Sequence, residues 1–312
     1  MIVSASRRTD IPAFYSEWLL NRLKAGYVLV PNPRNPLRFS KVALNRSAVD
    51  CLVFWTKNPK TMLPKLGKIS ELGYPFYFQF TLTPYGKEIE RNLPPKTELI
   101  RTFCSLSQIL GPDQVVWRYD PVILSREMPV EYHARCFEQM AAALDGMTHR
   151  CIFSFLDFYP KVRGTLQKMG AIEMQKADMY QLAEAFSEIA RRHCLQLFTC
   201  CEPIDLSQYG INHASCIDAG MIEKILGCPI HVRKDSNQRP GCGCVESVDI
   251  GSYDCCPHEC RYCYATSSEK NVRRHIADHD PNSPLLFGVL PQGVQISEKD
   301  MKSICDGQMC LL

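Results

Sequence analysis

Apolar residues recur in two rhythms along the first two-thirds of the chain. Short runs rich in β-branched and aromatic residues, at Ile2–Ala5, 27–30, 51–55, Phe76–Thr81, 115–118, 151–155 and 195–199, read as strands. Between them, 14–24, 61–72, Lys96–Leu110, 130–144 and 173–192 carry apolar positions near the 3.6-residue spacing of an amphipathic helix. Such alternation implies βα units on a parallel sheet. The number of strands favours an α/β fold of the (β/α) TIM-barrel type over an open doubly wound sheet. After Glu202 the pattern changes to polar loops, a short helical stretch at 216–226, an apolar patch at 245–250, a charged segment at 269–279 and a loop-like tail at 285–312. We therefore expect a barrel over 1–202 and a cysteine-rich region over 203–312.

In a (β/α) barrel the loops following the strands build the functional face. Here the expected strands run into Arg7, Arg8 and Asp10, into Lys57, into Arg118, Tyr119 and Asp120, into Asp157, and into Cys200, Cys201 and Glu202. Charged groups in apolar strands are costly unless paired or facing a cavity. One of them alone reads as a core ion pair, but polar groups on this many strand ends read as the lining of a pocket.

Composition narrows the class. Of 312 residues, 46% are hydrophobic and 22% charged, which supports a large core and argues against wholesale disorder. A net charge of +3, with both signs mixed along the chain, is too weak to argue for nucleic acid or a membrane. No apolar stretch approaches a membrane span, so a soluble, cytoplasmic protein is expected.

The 17 cysteines change the picture. Cys51, Cys104, Cys136, Cys151 and Cys194 lie singly in mostly apolar segments and read as packing residues. Ten others fall between Cys200 and Cys263, which points to bound metal. Cys256, Cys260 and Cys263, spaced C-x3-C-x2-C, suit three corners of one 4Fe–4S cube and leave the fourth iron open to a small chelating molecule. A structural zinc knot is the bland alternative. Cys200, Cys216, Cys242 and Cys244 form a second set, suited to an auxiliary 4Fe–4S cluster, to zinc, or to free thiols, with Cys201, Cys228 and Cys255 as competitors. Cys305 and Cys310 are left unassigned.

The run CPHECRYCYA at 256–265 resembles the cluster loop of the radical S-adenosylmethionine (SAM) enzymes, most of all the spore photoproduct lyase-like branch. The resemblance implies that the open iron chelates the amino and carboxylate groups of SAM and that electron transfer from the reduced cube splits the sulfonium. Tyr262 then belongs to a loop packed against the cluster and a planar ligand. In that superfamily the motif follows the first barrel strand, whereas here it comes late. Either 245–250 is a strand beside Ile2–Ala5, making the barrel a circular permutation, or a separate C-terminal cluster domain docks over the barrel mouth.

Taken in order, SASRRTDIPAFY, FWTKNP, FQFTLTPYG, WRYDP, FSFLDFY and DIGSYDCCPHECRYCYA resemble an uncharacterised family, domain of unknown function 1848, over nearly the whole chain. That resemblance implies a barrel placed with the radical SAM enzymes but supplies no reaction. The expected activity is reductive cleavage of SAM to start radical chemistry on a small-molecule or otherwise unidentified substrate, with flavodoxin or ferredoxin as reductant. Arg7 and Arg8 would bind a carboxylate or phosphate, or pair with Asp10 or Asp120. Lys57 would bind an anion, or donate a proton if burial lowers its pKa. Asp120 and Glu202 would hold ribose hydroxyls or the SAM ammonium, with Arg118 beside them, and Tyr119 or Tyr85 would relay a hydrogen atom or simply pack. Two other classes compete: an iron–sulfur electron carrier or redox sensor, and a zinc-stabilised barrel hydrolase or nucleic-acid-repair protein. A nucleic-acid substrate stays open, although no basic stripe supports it.

Overall fold

The computed structural model describes residues 1–239 and 241–305, so Cys310 lies outside the described residues. The first half carries β1 (Ile2–Ala5), β2 (Tyr27–Asn32), β3 (Asn35–Ala43), β4 (Cys51–Thr56), β5 (Phe76–Thr81) and β6 (Val115–Val122). The second half adds β7 (Arg150–Phe155), β8 (Gln196–Thr199), β9 (Asn212–His213), β10 (Val248–Asp249) and β11 (Gln295–Glu298). The helices, in chain order, are α1 (Ile11–Phe14), α2 (Ser16–Ala25), α3 (Leu66–Glu71), α4 (Lys96–Leu110), α5 (Val130–Ala143), α6 (Pro160–Lys168), α7 (Lys176–Arg192), α8 (Ala219–Leu226) and α9 (Glu269–Ala277).

Eight strands form one all-parallel sheet in the order β10-β1-β4-β5-β6-β7-β8-β9. This is an α/β architecture with the alternation expected. The segment at 27–30 departs from expectation. It does not join the parallel sheet but pairs antiparallel with β3, in a second sheet of order β11-β3-β2. The reason is local: β2 runs through a tight turn straight into β3, and so short a connection permits only an antiparallel partner. The apolar patch at 245–250 contributes only the two residues of β10, which pair parallel with β1 through Val3↔Val248 and Ser4↔Asp249.

Period-two alternation decides which side chains reach the site. On the face toward the helices, Val3, Leu52, Phe54, Phe78, Trp117, Tyr119 and Phe153 join the main core with α4, α5 and α7 residues such as Phe103, Phe137 and Phe186. On the opposite face the early strand positions Ile2, Val53, Tyr77, Val116 and Ile152 pack with Ile217, Met221 and Ile222 at α8. The later positions on that face are polar: Ser4, Gln79, Arg118, Asp120, Ser154. The sheet is therefore apolar on both faces at its base and polar on one face near its C-terminal edge. No helix among the described residues is long and apolar enough to cross a membrane.

Candidate functional site

A cavity of about 480 Å³ opens at the ends of the parallel strands, within the range of small-molecule sites. Its lining includes Arg7, Arg8, Asp10, Lys57, Arg118, Asp120 and Asp157, together with Cys200, Cys216, Cys242, Cys244, Cys256, Cys260 and Cys263. The two cysteine sets thus share one pocket.

The Cys256–Cys263 loop is held from two sides. After β10, Asp249 accepts hydrogen bonds from Ser4 Oγ (3.0 Å), Ser6 Oγ (2.6 Å) and the Arg7 amide (2.9 Å), locking the chain beside β1. Gly251 allows this approach, since a Cβ there would sit 2.1 Å from Ser6 Oγ. Tyr15 donates to the Cys255 carbonyl, and Cys255 turns into the core with its own Sγ on the Ser252 carbonyl. Opposite, the loop zips onto the segment after β5. The Arg261 amide donates to the Ile89 carbonyl (3.0 Å), the Asn92 amide to the His258 carbonyl (3.2 Å), and Glu90 bridges antiparallel to Cys260.

Two buried polar contacts finish the anchorage. Asp10 caps α1 by accepting from the Ala13 amide (2.9 Å), and its other oxygen accepts from the Lys57 amide (2.7 Å) and His258 Nε2 (2.8 Å). Glu90, almost wholly buried, pairs with Lys57 at 2.8 Å and with Lys96, and accepts from Thr83 Oγ1 (2.8 Å) and the Tyr262 hydroxyl. Burial opposes its charge, yet the two lysines hold the Glu90 carboxyl down at about 2. Burial likewise works against the Lys57 ammonium, but Glu90 and the nearby Cys260 raise its pKa overall. The proton-donor role that burial was expected to open for Lys57 is therefore corrected: the ion pair keeps it charged.

At the strand ends, Arg118 donates one guanidinium nitrogen to Cys216 Sγ (2.9 Å) and pairs with Asp120 through another. Asp120 also accepts from Ser154 Oγ. Burial pushes the Asp120 carboxyl up, but Arg118 and Ser154 outweigh it and hold it below the usual range. The indole of Trp55 lies between Arg7 and Arg118, each about 5 Å from its ring, a cation–π sandwich on the pocket wall. Arg8 stacks instead on Tyr253.

Tyr119 is a correction. It projects to the helix side, among Trp117, Phe137 and Phe186, with its hydroxyl 3.0 Å from His133 Nδ1. With Arg118 and Asp120 on the pocket side of β6, alternation places Tyr119 on the other face, so it cannot serve the pocket. Tyr85 is also buried, donating to the Pro121 carbonyl at 2.7 Å. Glu202 sits behind the lining, with Oε1 accepting from the Phe155 amide (2.9 Å); burial pushes its carboxyl up to about 7. Tyr262 does reach the pocket, its hydroxyl committed to Glu90. Sequence reasoning missed Glu90, Lys96, Asp249 and His258. His258, inside the cysteine motif, and Asp249, opening the DIGSYD run that leads into it, carried a signal of their position; Glu90 and Lys96 carried none.

The donor chemistry suits a soft metal on the loop, which brings three thiols within eight residues. Burial pushes the Cys256 and Cys260 thiols up, with Cys263 close to both, while Lys57 and Lys96 act in the opposite sense on Cys260. Three buried polar atoms on lining residues, Arg7 Nη2, Thr9 Oγ1 and His258 Nδ1, have no hydrogen-bond partner among the described residues. Among the described residues no three His, Cys, Asp or Glu side chains are gathered as a site for a single metal ion. A cube takes its thiolates on separate irons and does not require that convergence.

No curated protein and no solved structure matches the chain. A family model described as domain of unknown function (DUF1848) matches residues 2–265, which include both cysteine sets and every pocket element described above. The chain belongs to the DUF1848 family.

Proposed function

We propose that the protein is a radical SAM-like enzyme whose Cys256, Cys260 and Cys263 hold a site-differentiated 4Fe–4S cluster. The observation that carries this reading is one juxtaposition: three thiols on a single anchored loop open into a pocket at the C-terminal ends of a parallel sheet. A reduced cluster there would supply the electron that cleaves the sulfonium of SAM. The chain's own residues bind and orient. In this reading the Arg7 guanidinium would bind a carboxylate through its Nη2, and Asp120, anchored by Arg118, would bind a hydroxyl or ammonium group. Lys57 and Glu90 fix the Cys260 side of the loop, and Trp55 and Tyr262 supply flat walls.

The same reading takes the sheet as a permuted (β/α) barrel. A strand followed at once by the cysteine loop is supported by β10, which lies beside β1 and precedes that loop directly. An external low-potential donor of the flavodoxin or ferredoxin type would reduce the cluster, and the substrate would be a small molecule matched to the pocket.

The test is anaerobic incubation of the iron-reconstituted protein with SAM and a strong reductant. 5′-Deoxyadenosine that is released by the protein and absent with Cys260→Ala supports the proposal. Methylthioadenosine under the same control redirects it to aminocarboxypropyl transfer. An intact, reducible cluster that releases neither nucleoside overturns it in favour of an electron carrier.

A further inference from the structure

We propose that Cys200, Cys216, Cys242 and Cys244 form a second iron–sulfur centre on the wall of the same pocket. The four thiols arrive from three separate segments: the end of β8, the approach to α8, and the loop before β10. Cys200 Sγ lies 3.1 Å from Cys216 Sγ. Cys244 Sγ accepts the Ile217 amide at 3.3 Å, which sets it against the residue next to Cys216, and Cys242 Sγ accepts the Cys244 amide at 3.5 Å. Gly243 makes this approach possible, because a Cβ there would meet Ser215 Oγ at 2.6 Å. Cys201, the rival of Cys200, has a left-handed backbone (φ 60°) and lies on the Gly241 side, its sulfur 3.8 Å from where a Gly241 Cβ would sit.

Two features favour iron–sulfur over structural zinc. Zinc knots present their ligands in C-x2–4-C pairs and are closed, whereas this set has one C-x-C pair and two lone cysteines, and it faces the pocket. The sulfurs also carry N–H donors, from Arg118 at 2.9 Å and from two backbone amides, the kind of hydrogen bonding that tunes iron–sulfur potentials. The proposal rests on these four thiols alone, so it stands or falls independently of SAM cleavage at the Cys256 loop.

The decisive material is the full chain with Cys256→Ala, Cys260→Ala and Cys263→Ala combined, reconstituted anaerobically with iron and sulfide. We expect about four iron and four sulfide per chain to remain, with a 4Fe–4S Mössbauer signature, against about eight of each in the unmodified chain. No iron, one stoichiometric zinc, or a Cys200–Cys216 disulfide in anaerobically handled protein overturns it. If the triple variant does not fold, Cys216→Ala with Cys244→Ala makes the complementary test. Iron falling from about eight to about four supports the second centre, and iron unchanged overturns it.

Discussion

Asp10 and His258 are joined by a 2.8 Å hydrogen bond across 248 residues of sequence, and both side chains are buried. One carboxylate thereby ties α1, the end of β4 and the cysteine loop together. Asp10→Ala removes a helix cap and strands two buried donors. It should cost about 2–4 kcal/mol in urea unfolding and lower the iron retained at the loop, with Asp10→Asn milder on both.

Glu90 should matter more to folding than its absence from any recognisable motif suggests. Glu90→Gln leaves Lys57 and Lys96 close together in a buried site without their shared counter-charge. Removing one partner of a buried pair costs about 3–5 kcal/mol. Chemical denaturation reads the loss, and a change within about 1 kcal/mol would mean that water already neutralises the site.

Gly251→Ala tests the seam between β10 and β1. The new methyl group meets Ser6, so either the strand end or the cysteine loop must move. We expect a loss of about 1–3 kcal/mol together with reduced iron content at the Cys256 loop. Native iron content in this variant would show that the seam does not position the loop.

His133 gives the molecule an acid-sensitive element on the helix side of the sheet. Burial depresses its pKa to about 4, with Nε2 on the Ile123 carbonyl (2.9 Å) and Nδ1 facing the Tyr119 hydroxyl (3.0 Å). An unfolded histidine titrates near 6.5, so between that value and about 4 the unfolded chain binds the extra proton. The contribution of His133 to stability is therefore full above about 6.5 and is lost as pH drops toward 4, by up to about 3 kcal/mol. Unfolding curves of His133→Gln across this range should lose most of that slope.

Arg118 and Tyr119 are neighbours in sequence with opposite expected phenotypes. If the proposed SAM cleavage holds, Tyr119→Phe should keep it near its original level, and it should lose about 1 kcal/mol of stability through the His133 contact. Arg118→Met removes the guanidinium from Cys216 and Asp120 and should disrupt the pocket. Equal effects on nucleoside release would contradict the facing assigned to β6.

Much of the fold is legible in the sequence because β4, β5, β6 and β7 each carry a short apolar run, as strands covered on both faces near their base require. The 27–30 run has the same composition, but its fate depends on the turn that follows, which periodicity does not weigh. The cysteine loop is legible from spacing alone. Its support is not, because Glu90 and Lys96 are single charged residues in unremarkable stretches, and Asp249, although it opens the DIGSYD motif, shows its role only through the distant partners folding brings to it. Tyr119 fails for a simpler reason: a list of strand-end residues ignores the alternation that sends every second one to the core.

The bond between Ser4 and Asp249 also sets a clock. Its partners are 245 residues apart, so during synthesis at about 5–20 residues per second β1 lacks its β10 neighbour for roughly 10–50 s. By the end of that interval one border of the parallel sheet is still unpaired while most of its hydrophobic body is already translated. The nascent protein's exposure to misassociation is consequently greatest just before β10 arrives to cover that border.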